Sequence, residues 1–370
     1  MEHLPSLPVL PEAAPIASLL TDAGVNDILV NGVGSVYVER QGGMTLTPLR
    51  FADETAVRAL AEAIANAAGR PLDPDRPLLD TRLADGSRVN IVAPPLAVDG
   101  TMISIRKFSP SQITLDMMAT QGNISPQLAE FLKICGRCRI NILVAGGTGS
   151  GKTTLLNALS QSIEDEERVV TIEDTAELRL MKPHVVRLET HPLTAGEDPR
   201  LEVTTRDLVR NALRMRPNRI IVGEVRGEEA FDMMQAMNTG HEGSLCTMHA
   251  NHPRDALFRL ENMVNLAGFH LPVRAIRGQI ASALHLVVQI SRMQDGLRRV
   301  TFVSEVCGME GDVITMHDLM QFISHGERAD GRMNGDWRFS GIVPRFARRI
   351  VYWGEGKRFT EVFGVKLPGV

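Results

Sequence analysis

The eight residues "GGTGSGKT", Gly146 to Thr153, restrict this chain more than any other stretch. They fit G-x-x-x-x-G-K-[ST], with the apolar run "INILVAG" leading in and a helical pattern beginning at Lys152. Glycines in such a loop let backbone N–H groups curl around a phosphate without side-chain collision, and the helix N-terminus adds its positive end. Lys152 then reaches the β- and γ-phosphates and the Thr153 hydroxyl suits Mg2+. Gly147, Thr148, Gly149, Ser150, Gly151 and Thr154 complete the cradle. A dinucleotide loop is excluded, because G-x-G-x-x-G counted from Gly147 demands glycine at position 152, which is lysine.

From residue 125 onward strands alternate with helices, the sign of an α/β fold with a parallel sheet. "INILVAG", "RVVTIED", "HVVRLET", "RIIVGEV" and "GSLCTMHA" read as strands. "TTRDLVRNALRMR", stopped by Pro217, and "GEEAFDMMQAMNTG", closed by Gly240, read as helices. A P-loop needs a carboxylate at a neighbouring strand end, to organise Mg2+ or polarise the attacking water. Glu224 in "RIIVGE" stands there, after a glycine where many P-loop enzymes carry aspartate. Glu173, Asp174 and Glu177 cluster past another strand end. Charges stabilised by a helix N-terminus are one reading of them, and Glu173 is the functional candidate. Ligands of open α/β sheets bind at the carboxyl edge. His249, at the end of "GSLCTMHA", then lies beside the phosphate loop, and His241 starts the turn into that strand. Both are candidates for sensing a γ-phosphate.

Residues 1–110 read as a smaller α/β domain. A helix "APIASLLTDAG" is followed by a hairpin about "NGVG", then by a helix from Asp53 as N-cap to Gly69. A second hairpin about "ADGS" and the strand "MISIRKF" complete it. Residues 111–125, weakly periodic between Pro110 and Pro126, read as a linker. Residues 126–325 form the phosphate-binding domain and 326–370 a separate tail.

A length of 370 residues points to two domains, and 44% hydrophobic with 23% charged residues is an ordinary globular balance. Apolar runs fall far short of the ~20 residues that cross a bilayer. "MEHLPSLPVLPEAAP" has no basic n-region, so no signal peptide and a cytoplasmic location are expected. Cys135 and Cys138 make a single "CGRC" at a helix end and read as core thiols, while Cys246 and Cys307 stand alone in strand-like segments. The tail from Gly326 carries nine Lys/Arg against five Asp/Glu, net +4, while the preceding 325 residues are net −8. It also holds seven of the sixteen aromatics. Either it docks on a partner or membrane face, or it folds back on an acidic body. Aromatics total 4% and nearly half lie in that tail, so no stacking channel for nucleic acid is expected.

"GGTGSGKTT", "TIEDTAEL", "RMRPNRIIVGEVRG" and "MNTGHEGSLCTMHANHP" follow one another in the order and spacing of four known boxes. They resemble the Walker A motif, Asp box, Walker B motif and His box of the type II/type IV secretion and type IV pilus ATPase superfamily. The resemblance extends from Ala17 to Pro344. "LVRNALRMRP", "AMNTGHEGSLCTMHAN" and "FSGIVPRF" look most like the tight-adherence pilus assembly ATPases, with the conjugative traffic ATPases as close cousins. It implies a RecA-like P-loop NTPase domain with a smaller N-terminal α/β domain, and Mg·ATP held between the two. It also implies a homohexameric ring, inner-membrane platform proteins as partners and peripheral attachment to the inner membrane. Arg88 and Arg106 match nucleotide-clamping positions. Glu224, Glu173, His249 and His241, which lie within the Walker B, Asp and His boxes, are the catalytic candidates. Arg206, Arg210 and Arg214, four apart on one helix face, either face a nucleotide or neighbouring subunit or form ordinary salt bridges.

Overall fold

The computed structural model describes residues 10–40, 43–75, 77–83, 85–107, 113–193, 198–268, 271–327 and 331–367. The chain divides into two compact units, Met1–Ser111 and Gln112–Val370.

In the first unit a 3-10 turn, Pro11–Ile16, leads into α1 (Ala17–Thr21). The strands β1 (Asp27–Asn31), β2 (Ser35–Arg40) and β3 (Gly43–Leu46) precede α2 (Glu54–Ala67). The strands β4 (Leu78–Arg82), β5 (Arg88–Val92) and β6 (Met102–Arg106) follow it. They make one antiparallel sheet in the order β3-β2-β1-β6-β5-β4. The Asp53 side chain accepts from Ala56 N and caps α2, and Gly69 just past its end takes a φ of +68°. Val57, Leu60, Ala61, Ile64 and Ala65 form the buried stripe of α2. They join the inward alternation Ile28/Val30, Val36/Val38, Val89/Ile91 and Ile103/Ile105 in one core.

The second unit contains α3 (Leu115–Thr120), α4 (Pro126–Arg137), β7 (Ile142–Gly146), α5 (Lys152–Ser160), β8 (Val169–Glu173) and β9 (Val185–Glu189). It continues with α6 (Thr205–Ala212), β10 (Arg219–Val222), α7 (Glu229–Asn238), β11 (Leu245–Met248), α8 (Pro253–Leu266) and α9 (Val273–Ala283). The antiparallel strands β12 (Leu286–Arg292), β13 (Arg298–Glu310), β14 (Val313–Glu327) and β15 (Met333–Phe339) precede α10 (Ala347–Tyr352) and α11 (Gly356–Phe363). Nine strands form one sheet in the order β15-β14-β13-β12-β7-β11-β10-β8-β9, parallel from β12 to β9. Alternate residues of β7 feed two cores: Ile142 and Val144 on one face, Leu143 and Ala145 on the other. A strand covered on both faces is apolar throughout, which is why "ILVAG" reads as an unbroken run.

Two readings of the sequence are corrected. The segment taken as a linker, 111–125, carries α3, which buries Leu115 and Met118 one turn apart and is capped by Thr114. Six residues are too few to show periodicity in the sequence. The tail after residue 325 is not separate either. Phe346, Ile350 and Phe359 enter the core beside Phe131 of α4. Arg349 pairs with Glu242, and Arg358 with Glu130 at 2.5 Å, so the basic end folds back on the acidic body.

One buried ion pair ties the amino edge of the parallel sheet. Arg219 is 0% exposed and reaches Glu167 by two bonds, Nε at 2.9 Å and Nη2 at 2.5 Å, while Nη1 donates to Gly136 O at 2.6 Å. Removing one partner strands a buried charge. Arg219→Met is expected to lower unfolding stability by about 3–5 kcal/mol in a denaturant titration of the second unit's transition.

Candidate functional site

The phosphate loop begins where β7 ends. A Cβ on Gly146 would lie 2.4 Å from Ile290 O and 2.5 Å from Ser150 Oγ, so no other residue fits between β7 and β12. Gly149 (φ +67°) and Gly151 (φ +96°) then turn the chain through the left-handed region that favours glycine. No side chain caps α5, leaving its first-turn N–H groups for a ligand. Thr153 and Thr154 follow in that turn, partly exposed. Lys152 is only 8% exposed, and its Nζ rests on Gly147 O at 3.0 Å and His249 Nδ1 at 3.4 Å. Burial lowers its pKa; Glu224 opposes that shift and Arg226 adds to it.

His249 joins the loop to the acidic strand tip. Its Nε2 lies 2.8 Å from Glu224 Oε1. The Lys152 ammonium can only donate to Nδ1, so the imidazole proton belongs on Nε2, on the side of Glu224, although it is not aligned as a hydrogen bond to Oε1. Burial lowers the His249 pKa, as do the charges of Lys152 and Arg226, while Glu224 opposes them, so the ring is neutral near pH 7. Burial alone would raise Glu224. The hydrogen bond and charge of Arg226, helped by His249 and Lys152, outweigh it and hold that carboxylate below its ordinary value. Arg226 in turn bridges Glu224 Oε2 at 2.6 Å and Asp174 Oδ2 at 3.1 Å. A cleft of about 520 Å3 borders Asp174, Glu224 and Arg226 beside the first turns of α6 and α7.

Sheet order explains the convergence. Met248 pairs with Ala145, and Val222 with Cys246, so the ends of β7, β11 and β10 lie side by side. Thr247 Oγ1 donates to Gly223 O at 2.6 Å, and Gln289 Nε2 to Ala250 O at 2.9 Å, fixing the backbone on either side of His249.

His241 is a correction. Gly243 N and Ser244 N donate to Asn141 Oδ1 at 2.7 and 3.2 Å, placing the preceding turn at the amino edge of β7. A four-residue strand spans about 13 Å, so within one chain His241 is separated from the phosphate loop by the length of β11. Glu173 is 5% exposed, and its carboxylate accepts from Glu177 N at 2.9 Å and Leu178 N at 3.0 Å. It thereby holds the turn after β8. A Cβ at residue 223 would lie 2.7 Å from Glu173 Cγ, which accounts for the glycine preceding Glu224. In the first unit Arg88 and Arg106 are cross-strand neighbours on the face away from α2, and Arg106 Nε meets Asp27 at 3.1 Å. Arg206 pairs with Asp232 at 2.9 Å and with Glu228, the ordinary salt-bridge reading.

Two arginines at the centre went unread in the sequence. Arg226 follows Glu224 by two residues, and that proximity was its only signal. Arg298 arrives from β13 and donates through Nε to Gly149 O at 2.9 Å. Its own carbonyl is held by Asn123 Nδ2 at 2.6 Å. Nothing local in the sequence links it to the loop.

Glu173 yields a pH test. Burial raises it from 4.5 to about 7, against the pull of the Glu177 and Leu178 amides. A folded-state pKa above the unfolded value gives stability that is fully present below pH 4.5 and lost as pH rises through about 7. Denaturation midpoints across that window are expected to fall in the wild type, and Glu173→Gln is expected to flatten the decline.

Residues 10–316 match the family described as Type II/IV secretion system protein. The chain is 39% identical over 325 residues to a putative conjugal transfer protein of Mycobacterium tuberculosis, covering 82% of this chain and 91% of that one. It is 34% identical over 319 residues to the type IV secretion system protein VirB11 of Brucella suis, covering 79% and 88%. The ATPase DotB of Yersinia pseudotuberculosis superposes with a TM-score of 0.58 at 18% identity, over 81% of this chain and 79% of that one, a likeness of fold. The chain belongs to the type II/IV secretion system protein family, and it is a secretion ATPase.

Proposed function

We propose that the second unit hydrolyses Mg·ATP as one subunit of a homohexamer, coupling turnover to pilin assembly or protein export with inner-membrane platform proteins. The observation that carries this reading is the string Lys152–His249–Glu224–Arg226, brought together at one sheet edge from the start of α5 and the ends of β11 and β10. Lys152 and the amides from Gly147 to Gly151 hold the β- and γ-phosphates, and Thr153 and Thr154 extend the cradle. Thr153 is the residue that would hold Mg2+, which supplies charge neutralisation on the phosphates. Glu224 accepts the proton of the attacking water once Arg226 releases it. His249 reports whether Lys152 is engaged, because a Lys152 drawn to phosphate leaves Nδ1. Glu173 keeps the turn beside them in shape. The assignment of Arg88 and Arg106 to a nucleotide rests on the family resemblance alone.

A second reading, a traffic ATPase of a conjugative type IV secretion system, draws support from the names of the Mycobacterium tuberculosis and Brucella suis relatives. Both readings share the chemistry. No helix among the described residues is long and apolar enough to cross a membrane.

Phosphate release by the purified chain with Mg·ATP is expected to drop about 100-fold or more in Lys152→Ala, the scale of losing one donor to developing charge. The wild type is expected to sediment as a six-chain species with nucleotide. Turnover equal to the Lys152→Ala control, or a monomer in every nucleotide state, would overturn the proposal.

A further inference from the structure

A second cluster of reactive side chains lies on the antiparallel extension of the sheet, apart from the phosphate loop. Glu305 on β13 pairs directly with His317 on β14. The ladder then slips between Val306 and Gly308, leaving Cys307 as the extra residue of a bulge, and Gly308 takes a φ of +109°. Bulges re-aim side chains, and this one brings a thiol towards the carboxylate and imidazole beside it. One oxygen or sulfur from each acid and thiol and one ring nitrogen of His317 all lie within 4.8 Å of one another.

The two oxygens of Glu305 have different surroundings. Oε1 accepts from Arg345 N at 2.6 Å, which fixes the carboxylate and the chain entering α10. Oε2 faces Cys307 Sγ at 3.8 Å, too long for more than a weak contact. Glu305 is 1% exposed, and among the described residues no ion pair neutralises it. A buried carboxylate without a cation is costly. The outer rim is open, because His317 is exposed and gives a path from solvent.

We propose that Glu305, Cys307 and His317 form a binding site for a zinc-class divalent cation, with water in the fourth position. Sulfur, imidazole nitrogen and one carboxylate oxygen make a donor set that suits Zn2+ and leaves one position open. Binding forms the metal–sulfur bond as the thiol proton leaves to solvent, with no change of oxidation state. The oriented Oε1 hydrogen bond is the supporting contact such ligands need. Loading would pin β13 to β14 and, through Oε1, to the segment that starts α10. This proposal does not depend on the phosphate site.

The test uses the full chain, stripped with a chelator and free of nucleotide, titrated with Co2+ and then with Zn2+. One equivalent of Co2+ is expected to produce a thiolate charge-transfer band that Zn2+ bleaches. Cys307→Ser is expected to abolish the band, and His317→Ala to weaken binding at least 10-fold. A wild type without the band, or a Cys307→Ser protein that keeps it, would overturn the site. Should Cys307→Ser fail to fold, unchanged affinity in His317→Ala would overturn it equally, since that exposed position leaves the core intact.

Discussion

The ammonium of Lys152 is the charge around which the second unit is arranged. It is nearly buried, yet its direct contacts are a backbone carbonyl and a neutral imidazole. Among the described residues no carboxylate touches it, and Glu224 acts on it only at a distance. A buried cation whose direct acceptors are neutral is incompletely neutralised. A polyphosphate supplies that charge, and the uncapped turn of α5 supplies the amides that hold it. On the proposed reading, binding draws Lys152 off His249 and the change passes to Glu224 through one ring.

That relay requires β7, β11 and β10 to be adjacent, and the strand order delivers them without an intervening strand. Glycine at 223 follows from the same crowding, because the Glu173 stem occupies the space a side chain would need. The two carboxylates are thus separated in role by environment. Glu224 is kept ionised chiefly by Arg226, while Glu173 is pushed towards neutrality by burial and spends its oxygens on backbone N–H groups.

Much of this was legible in the sequence because it is local. A glycine loop between a buried strand and a helix admits few geometries, and a histidine at the end of a parallel strand falls at the carboxyl edge. The same logic misplaced His241. Four residues of strand separate the turn before β11 from the residue after it, and proximity in sequence hid that they face opposite edges. Arg298 was invisible for the opposite reason, since its partner Gly149 is far away along the chain. The tail misled through composition. Its charge and aromatics match a docking surface, but in the fold its phenylalanines pack on Phe131 and its arginines find Glu242 and Glu130. Composition records which groups are present, and only packing decides what covers them.

The most direct measurement is a structure of the chain with Mg2+ and a non-hydrolysable ATP analogue. Lys152 Nζ is expected to have left Gly147 O and His249 Nδ1 for the β- and γ-phosphate oxygens, with Glu224 freed from Arg226 and turned towards the terminal phosphate. A triphosphate seated elsewhere, with Lys152 still resting on Gly147 and His249, would contradict the relay at its first step.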